Sequence, residues 1–167
     1  MTDAYPVHSL LDRIGAHWPE AASGESRMAI ALIRIAELIR ARTDRVLAEF
    51  DLTPAAFEVL VTLRASAAPR QMTPTELYRS ALLTSGGMTK VLIELERRGA
   101  VERVANPQDG RSRIVRMTDA GQRLAERVMD KVGEVDRAHF RAFQKGEIDA
   151  LHDDVLRFAA AVEQSGE

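Results

Sequence analysis

The sequence predicts a mainly α-helical fold carrying one small β-hairpin, an α+β chain by class. Three observations carry that expectation. Apolar residues recur at helical spacing through two long stretches, Met28 to Phe50 and Leu124 to Phe140. Two shorter helical patterns sit close together between Thr73 and Arg98. Directly behind them, two alternating runs flank the turn-forming residues Asn106–Gly110.

The elements follow in chain order. Residues 8–19 read as a short amphipathic helix through Leu10, Leu11, Ile14 and Trp18, stopped by Pro19. After a linker of turn composition (AASGES), a long helix from about Glu25 to Phe50 has more apolar surface than a lone small domain easily covers. That surplus suits a partner helix or simple core packing. Thr53 and Pro54 open the next helix as N-cap and first helical residue. Thr73-Pro74-Thr75-Glu76 is a capping box for a short helix to about Ala81. Ser85-Gly86-Gly87 opens another, which reaches Arg98 before Gly99 terminates it. Met88, Val91 or Leu92, and Leu95 point inward, and Ser85, Gly86, Thr89, Lys90 and Ile93 outward.

A short helix, a tight turn at Leu82-Leu83-Thr84 and a second helix with a small polar start have helix-turn-helix spacing. The strands expected at Ala100–Val104 and Arg111–Met117 make a hairpin whose tip carries Arg111 and Arg113. A basic hairpin behind a helix-turn-helix is a wing, and an arginine there can enter the electronegative minor groove. Thr118 caps a last long helix, Asp119 to about Lys145, after which Gly146 breaks the pattern and Glu147–Val162 forms a final helix. The expected organisation is 1–50 (extra helix and long dimerisation helix), 51–118 (winged helix-turn-helix lobe) and 119–167 (C-terminal dimerisation helices).

Composition narrows the function classes. At 167 residues the chain can bury a real core. It has no cysteine, which excludes disulfides, thiolate zinc sites and sensing by cysteine oxidation. No apolar run reaches about 18 residues. The start, MTDAYPVHSLLDR, lacks the basic and apolar regions of a secretory signal, so a cytoplasmic protein away from membranes is expected. The net charge is −2, but residues 70–116 hold nine Lys and Arg against five Asp and Glu, so that window carries +4 and the rest −6. A basic centre in an acidic chain suits a local anionic partner such as double-stranded DNA. The same count fits a mixed solvated surface.

His8, His17, His139 and His152 are scattered without metal-ligand spacing, and no nucleophile or phosphate-loop motif is present. No metal, cofactor or catalytic site is expected. Tyr78 and Arg79 could clamp a phosphate, whereas Arg97 and Arg98 read as a solvated helix end favoured by the dipole.

The runs LTPAAFEVLVTL and PTELYRSALLTSGGMTKVLIELERRGAVER, with Asp109-Gly110-Arg111 and Val115–Gly121, resemble the MarR family of winged-helix repressors over roughly residues 28–145. The resemblance implies a homodimer on a pseudo-palindromic operator, with binding modulated by a small molecule. It places Thr84, Ser85, Gly86, Thr89 and Lys90 at the entrance of the recognition helix and Arg111 on the wing, with Asp109 holding Arg111; Arg113 is a second wing candidate with a less clear family match.

The extra N-terminal helix resembles the urate-responsive, PecS-like branch. Of that branch's ligand residues Trp18 and Arg103 match, Glu58 stands where Asp is usual, and Val91 stands where an arginine is usual. Losing that guanidinium fork argues against urate and for an aromatic acid or its conjugate. Trp18 could equally be a packing staple, and Glu58 with Arg103 a purely structural pair. The alternative to a DNA-binding regulator is a winged-helix protein–protein adaptor. In that case an acidic protein surface would occupy the basic window.

Overall fold

The computed structural model describes residues 6–80, 87–107 and 109–165, and the side chains of 109–111 lie outside that description. The chain divides into two compact units, one ending at Phe57 and the other beginning at Glu58.

The first unit holds α1 (Val7–His17), a 3-10 turn (Pro19–Ala21), α2 (Gly24–Glu49) and the start of α3 (Pro54–Ala65). Trp18 is the residue after α1, and its backbone N–H donates to the Ile14 carbonyl, so the helix ends at His17, two residues before Pro19. Ser23 caps α2 by accepting from the Ser26 N–H. At the other end Asp51 takes φ +52, and Leu52 N–H donates back to Leu47 at 3.0 Å, closing the helix with a left-handed residue. Thr53 then caps α3 through the Ala56 N–H, with Pro54 at the first position as expected.

The second unit continues through β1 (Gln71–Met72), α4 (Pro74–Ser80), α5 (Met88–Arg97), β2 (Val101–Asn106), β3 (Asp109–Met117), α6 (Asp119–His139) and α7 (Lys145–Gln164). The sheet is antiparallel in the order β1-β3-β2. Strand β1 was not legible beforehand, because two residues are too few to show alternation. Both hairpin strands run further into the turn than expected, with Asn106 opposite Asp109. Ile114 and Val115 are both buried, so the base of the wing is covered on its two faces.

Two expectations about the C-terminal helices are corrected. Helix α6 stops at His139, and Phe140 and Phe143 form an edge-on ring pair at 6.0 Å instead of extending its stripe. Gly146 does not break a helix. It lies in the first turn of α7, because Glu147 accepts the Gln144 N–H at 2.7 Å and so sets the start at Gln144.

The tightest joint lies between α5 and α6. Gly99 (φ +66) ends α5, with its N–H on Glu96 and the Ala100 N–H on Leu95. Thr118 then caps α6 by accepting the Gly121 N–H at 3.0 Å, while its hydroxyl donates to the Gly99 carbonyl at 2.6 Å. Its backbone N–H donates to the Ala100 carbonyl. A Cβ on Gly121 would fall inside that same carbonyl group. Gly133, further along α6, faces only the end of the flexible Arg137 side chain.

Gly121→Ala should therefore lower stability by about 2 kcal/mol, the order of an overpacked core position. Gly133→Ala should raise it by about 0.5 kcal/mol through helix propensity. Urea unfolding of the two variants against the wild type checks both signs.

Candidate nucleic-acid interface

Helix α5 is placed by its buried side. Met88, Leu92 and Leu95 recur at helical spacing and all are buried, which turns Thr89, Lys90 and Ile93 outward as the sequence implies. Val91 lies between the two sides and is half-buried. Arg97 makes a two-pronged pair with Glu94, at 2.9 Å and 2.7 Å, which holds the Glu94 carboxyl below its ordinary value. Arg97 thus carries its own counter-charge. Lys90 has no ion-pair partner among the described residues, so its ammonium is available to a phosphate. Thr84, Ser85 and Gly86 lie outside the described residues, and α5 itself begins at Met88 behind Gly87.

Helix α4 precedes α5 in the chain, with Leu77 buried and Tyr78 and Arg79 exposed. Its capping box is complete. Glu76 Oε2 accepts the Thr73 N–H at 2.7 Å and the Thr73 hydroxyl at 2.8 Å, and Thr73 Oγ1 accepts the Glu76 N–H. The backbone N–H of Thr73, then its hydroxyl, holds the Glu76 carboxyl below the ordinary 4.5.

On the wing, Arg113 is exposed opposite Ala105 and has no ion-pair partner among the described residues. The hairpin is braced by Asn106 Nδ2 on Ser112 Oγ at 2.8 Å, and by Arg116 on its cross-strand neighbour Glu102 at 2.9 Å. The backbones of Asp109 and Arg111 lie in β3, and their side chains are outside the described set.

The three proposed ligand residues fall in different places. Trp18 belongs to the first unit and is 64% exposed. Glu58 is half-buried, and its Oε2 is buried with no hydrogen-bond partner among the described residues. The expected pairing of Glu58 with Arg103 is not formed among the described residues. Arg103 Nε instead lies 3.4 Å from Glu96 on α5. The reason is local: the turn at Gly99 folds β2 back along the end of α5, which brings position 103 beside position 96. That neighbour was findable in principle from the glycine stop and the strand that follows it.

A pair of consecutive helices, the second with an outward polar and cationic face, followed by a wing that exposes an arginine, defines a winged helix-turn-helix lobe of the DNA-binding type. Comparison with known proteins agrees. The model of the MarR family matches residues 50–112. The multiple antibiotic resistance protein MarR of Escherichia coli is 34% identical over 109 residues, covering 63% of this chain and 74% of that protein. The chain belongs to the MarR family, and it is a DNA-binding transcriptional regulator of that type.

PecS of Dickeya dadantii is 29% identical over 116 residues, 70% of each chain. The crystal structure of apo MarR from E. coli superposes with a TM-score of 0.62 at 28% identity, over 76% of this chain and 96% of that one. Two less similar structures share the fold. The S. aureus MepR–DNA complex has a TM-score of 0.68 at 19% identity, over 80% of this chain and 96% of that one. NadR with 4-hydroxyphenylacetate has a TM-score of 0.63 at 21% identity, over 79% and 92%. Among the described residues no helix is long and apolar enough to cross a membrane, and no cluster of side chains is suited to a metal ion.

Because the folded-state value of Glu76 is depressed, its contribution to the α4 cap is complete above 4.5 and is lost as the pH falls through the lower folded value. A carboxyl NMR titration should place Glu76 below 4.5. In Thr73→Ala it should move only part of the way back, since the backbone N–H bond, the larger cause, remains.

Proposed function

We propose that the chain acts as a homodimeric repressor on a pseudo-palindromic operator, and that a small aromatic acid or its conjugate modulates that binding. The observation that carries the DNA part is the exposed face of α5, Thr89 and Lys90, beside a wing that exposes Arg113, neither cation having an ion-pair partner among the described residues. On this reading Thr84, Ser85, Gly86, Thr89 and Lys90 enter the major groove and Arg111 and Arg113 the flanking minor groove. The two recognition helices of the dimer sit about 34 Å apart. MepR, bound to DNA in its own structure, supports the mode of docking.

Dimerisation is supported by α7. No residue of that helix is buried, yet Leu151, Val155, Phe158 and Val162 line one side of it, each at least 42% exposed. In the first unit, α2 likewise exposes Met28, Ile33, Ile35 and Ile39. Stripes of this kind on long helices are what a second copy would cover.

Effector binding through Trp18, Glu58 and Arg103 is supported by two features. Glu58 Oε2 is a buried acceptor without a donor among the described residues, which a ligand hydroxyl or N–H would satisfy. Trp18 has an exposed ring suited to stacking. NadR with its bound 4-hydroxyphenylacetate supports the ligand class. Val91, half-buried and apolar, offers no fork for an anionic purine. For a tenfold loss of DNA affinity the effector need prefer one conformation by only about 1.4 kcal/mol.

On an operator duplex, Lys90→Ala should reduce the slope of log K against log salt by about one, the loss of one phosphate contact. Arg111→Ala should weaken binding by about 1–3 kcal/mol. Unchanged affinity and slope in both variants would remove the DNA reading at its centre. Phe158→Glu should shift the chain to monomer in light scattering. Calorimetry should show heat with hydroxyphenylacetate-like acids that disappears in Trp18→Ala, and tight Trp18-dependent urate binding would overturn the ligand assignment.

A further inference from the structure

Arg70 adopts φ +55, in the left-handed region where a glycine would carry no steric cost. An arginine held there is expected to have a compensating role. Its backbone and side chain face two different elements. The Arg70 carbonyl accepts the Met117 N–H at 3.0 Å, one step beyond the Gln71–Arg116 pair, and so extends the short β1–β3 ladder. Its Nη1 donates to Gln122 Oε1 on α6 at 2.6 Å. Gln122 Nε2 donates to Glu126 Oε1 at 2.9 Å, and the same oxygen accepts Arg64 Nε from α3 at 2.9 Å. A continuous chain of bonds therefore runs from the root of the wing to α6 and α3.

We propose that Arg70 is a positioning residue for DNA recognition, setting the angle of the wing against the helix-turn-helix through the Gln122–Glu126–Arg64 chain. This rests on the DNA-binding reading above. The geometry explains why one residue suffices. Strand β3 is nine residues long, but β1 pairs with only two of them, so the wing is held on that edge at its base alone. Arg113 lies four residues beyond Met117, about 13 Å along the strand. A tilt of about 10° at the base moves Arg113 by about 2 Å, enough to break a hydrogen bond. Strand β1 also runs directly into Thr73, the cap of α4, so the same joint refers the wing to the helix-turn-helix.

The test uses the full chain and a duplex that the wild type selects from randomised DNA. Arg70→Gly suits φ +55 and keeps the carbonyl bond to Met117 while removing the guanidinium. Its thermal midpoint should stay within a few degrees of wild type, while affinity falls about tenfold. Hydroxyl-radical protection of the flanking minor groove should be lost, with methylation protection of major-groove guanines retained. Arg113→Ala should cost several-fold in the wild type and almost nothing in the Arg70→Gly background. Gln122→Ala, which cuts the chain one bond later, should give the same pattern. Wild-type affinity and footprint in both variants would overturn the proposal, as would losses for Arg70→Gly and Arg113→Ala that multiply independently. A wild-type chain that selects no duplex overturns the DNA reading itself, and this proposal with it.

Discussion

The DNA-binding lobe depends on one contact, the meeting of the end of α5 with the start of α6. The Ala100 carbonyl accepts the Thr118 N–H, the Thr118 hydroxyl reaches the Gly99 carbonyl, and Gly121 packs where any Cβ would strike the Ala100 backbone. The Gly99 and Ala100 carbonyls and the Gly121 N–H all find their partners on Thr118. Because the hairpin β2–β3 leaves from Ala100 and returns at Thr118, this joint closes the base of the wing. It also fixes which side of α5 the wing lies beside. Arg103 beside Glu96 and Arg116 beside Glu102 are consequences of that closure.

The face turned to solvent shows the opposite economy. The interior of the lobe is apolar, with Leu77, Leu95 and Val115 fully buried, and among the described residues no polar or charged residue is buried as a whole. Around the outside several cations are matched. Arg97 has Glu94, Arg116 has Glu102 and Arg64 has Glu126. Among the described residues Lys90 and Arg113 have no ion-pair partner, and neither does exposed Arg79 on α4. Surface ion pairs add little stability, so their chief effect here is on which positive charges remain available to an anionic partner.

Much of the architecture was legible because it rests on local signals. Thr53-Pro54, Thr73–Glu76, Gly99 and Thr118 each mark a helix end through a bond spanning at most a few residues, and each forms as expected. The misreadings share a cause. Glycine composition suggests a break at Gly146, but the reciprocal bond of Gln144 with Glu147 competes with glycine's helix cost and wins. Strand β1 and the Arg103–Glu96 pair depend on chain segments that meet only after the hairpin has folded back. The candidate DNA face was legible in the outward set Thr89, Lys90 and Ile93, since a 3.6-residue period assigns sides without knowledge of the partner.

By itself, then, the sequence determined the helix boundaries that carry caps, the buried and outward sides of α5, the presence of a basic wing and the family. All are properties of spacing and end chemistry within about one or two turns of chain. Only the tertiary structure decided which charges are neutralised, where the third strand comes from, and that Arg70 joins the wing to α6. Those outcomes depend on which side chains arrive within about 3 Å of one another from distant parts of the chain. At that range hydrogen-bond direction and loop closure select the partner, and residue type alone does not.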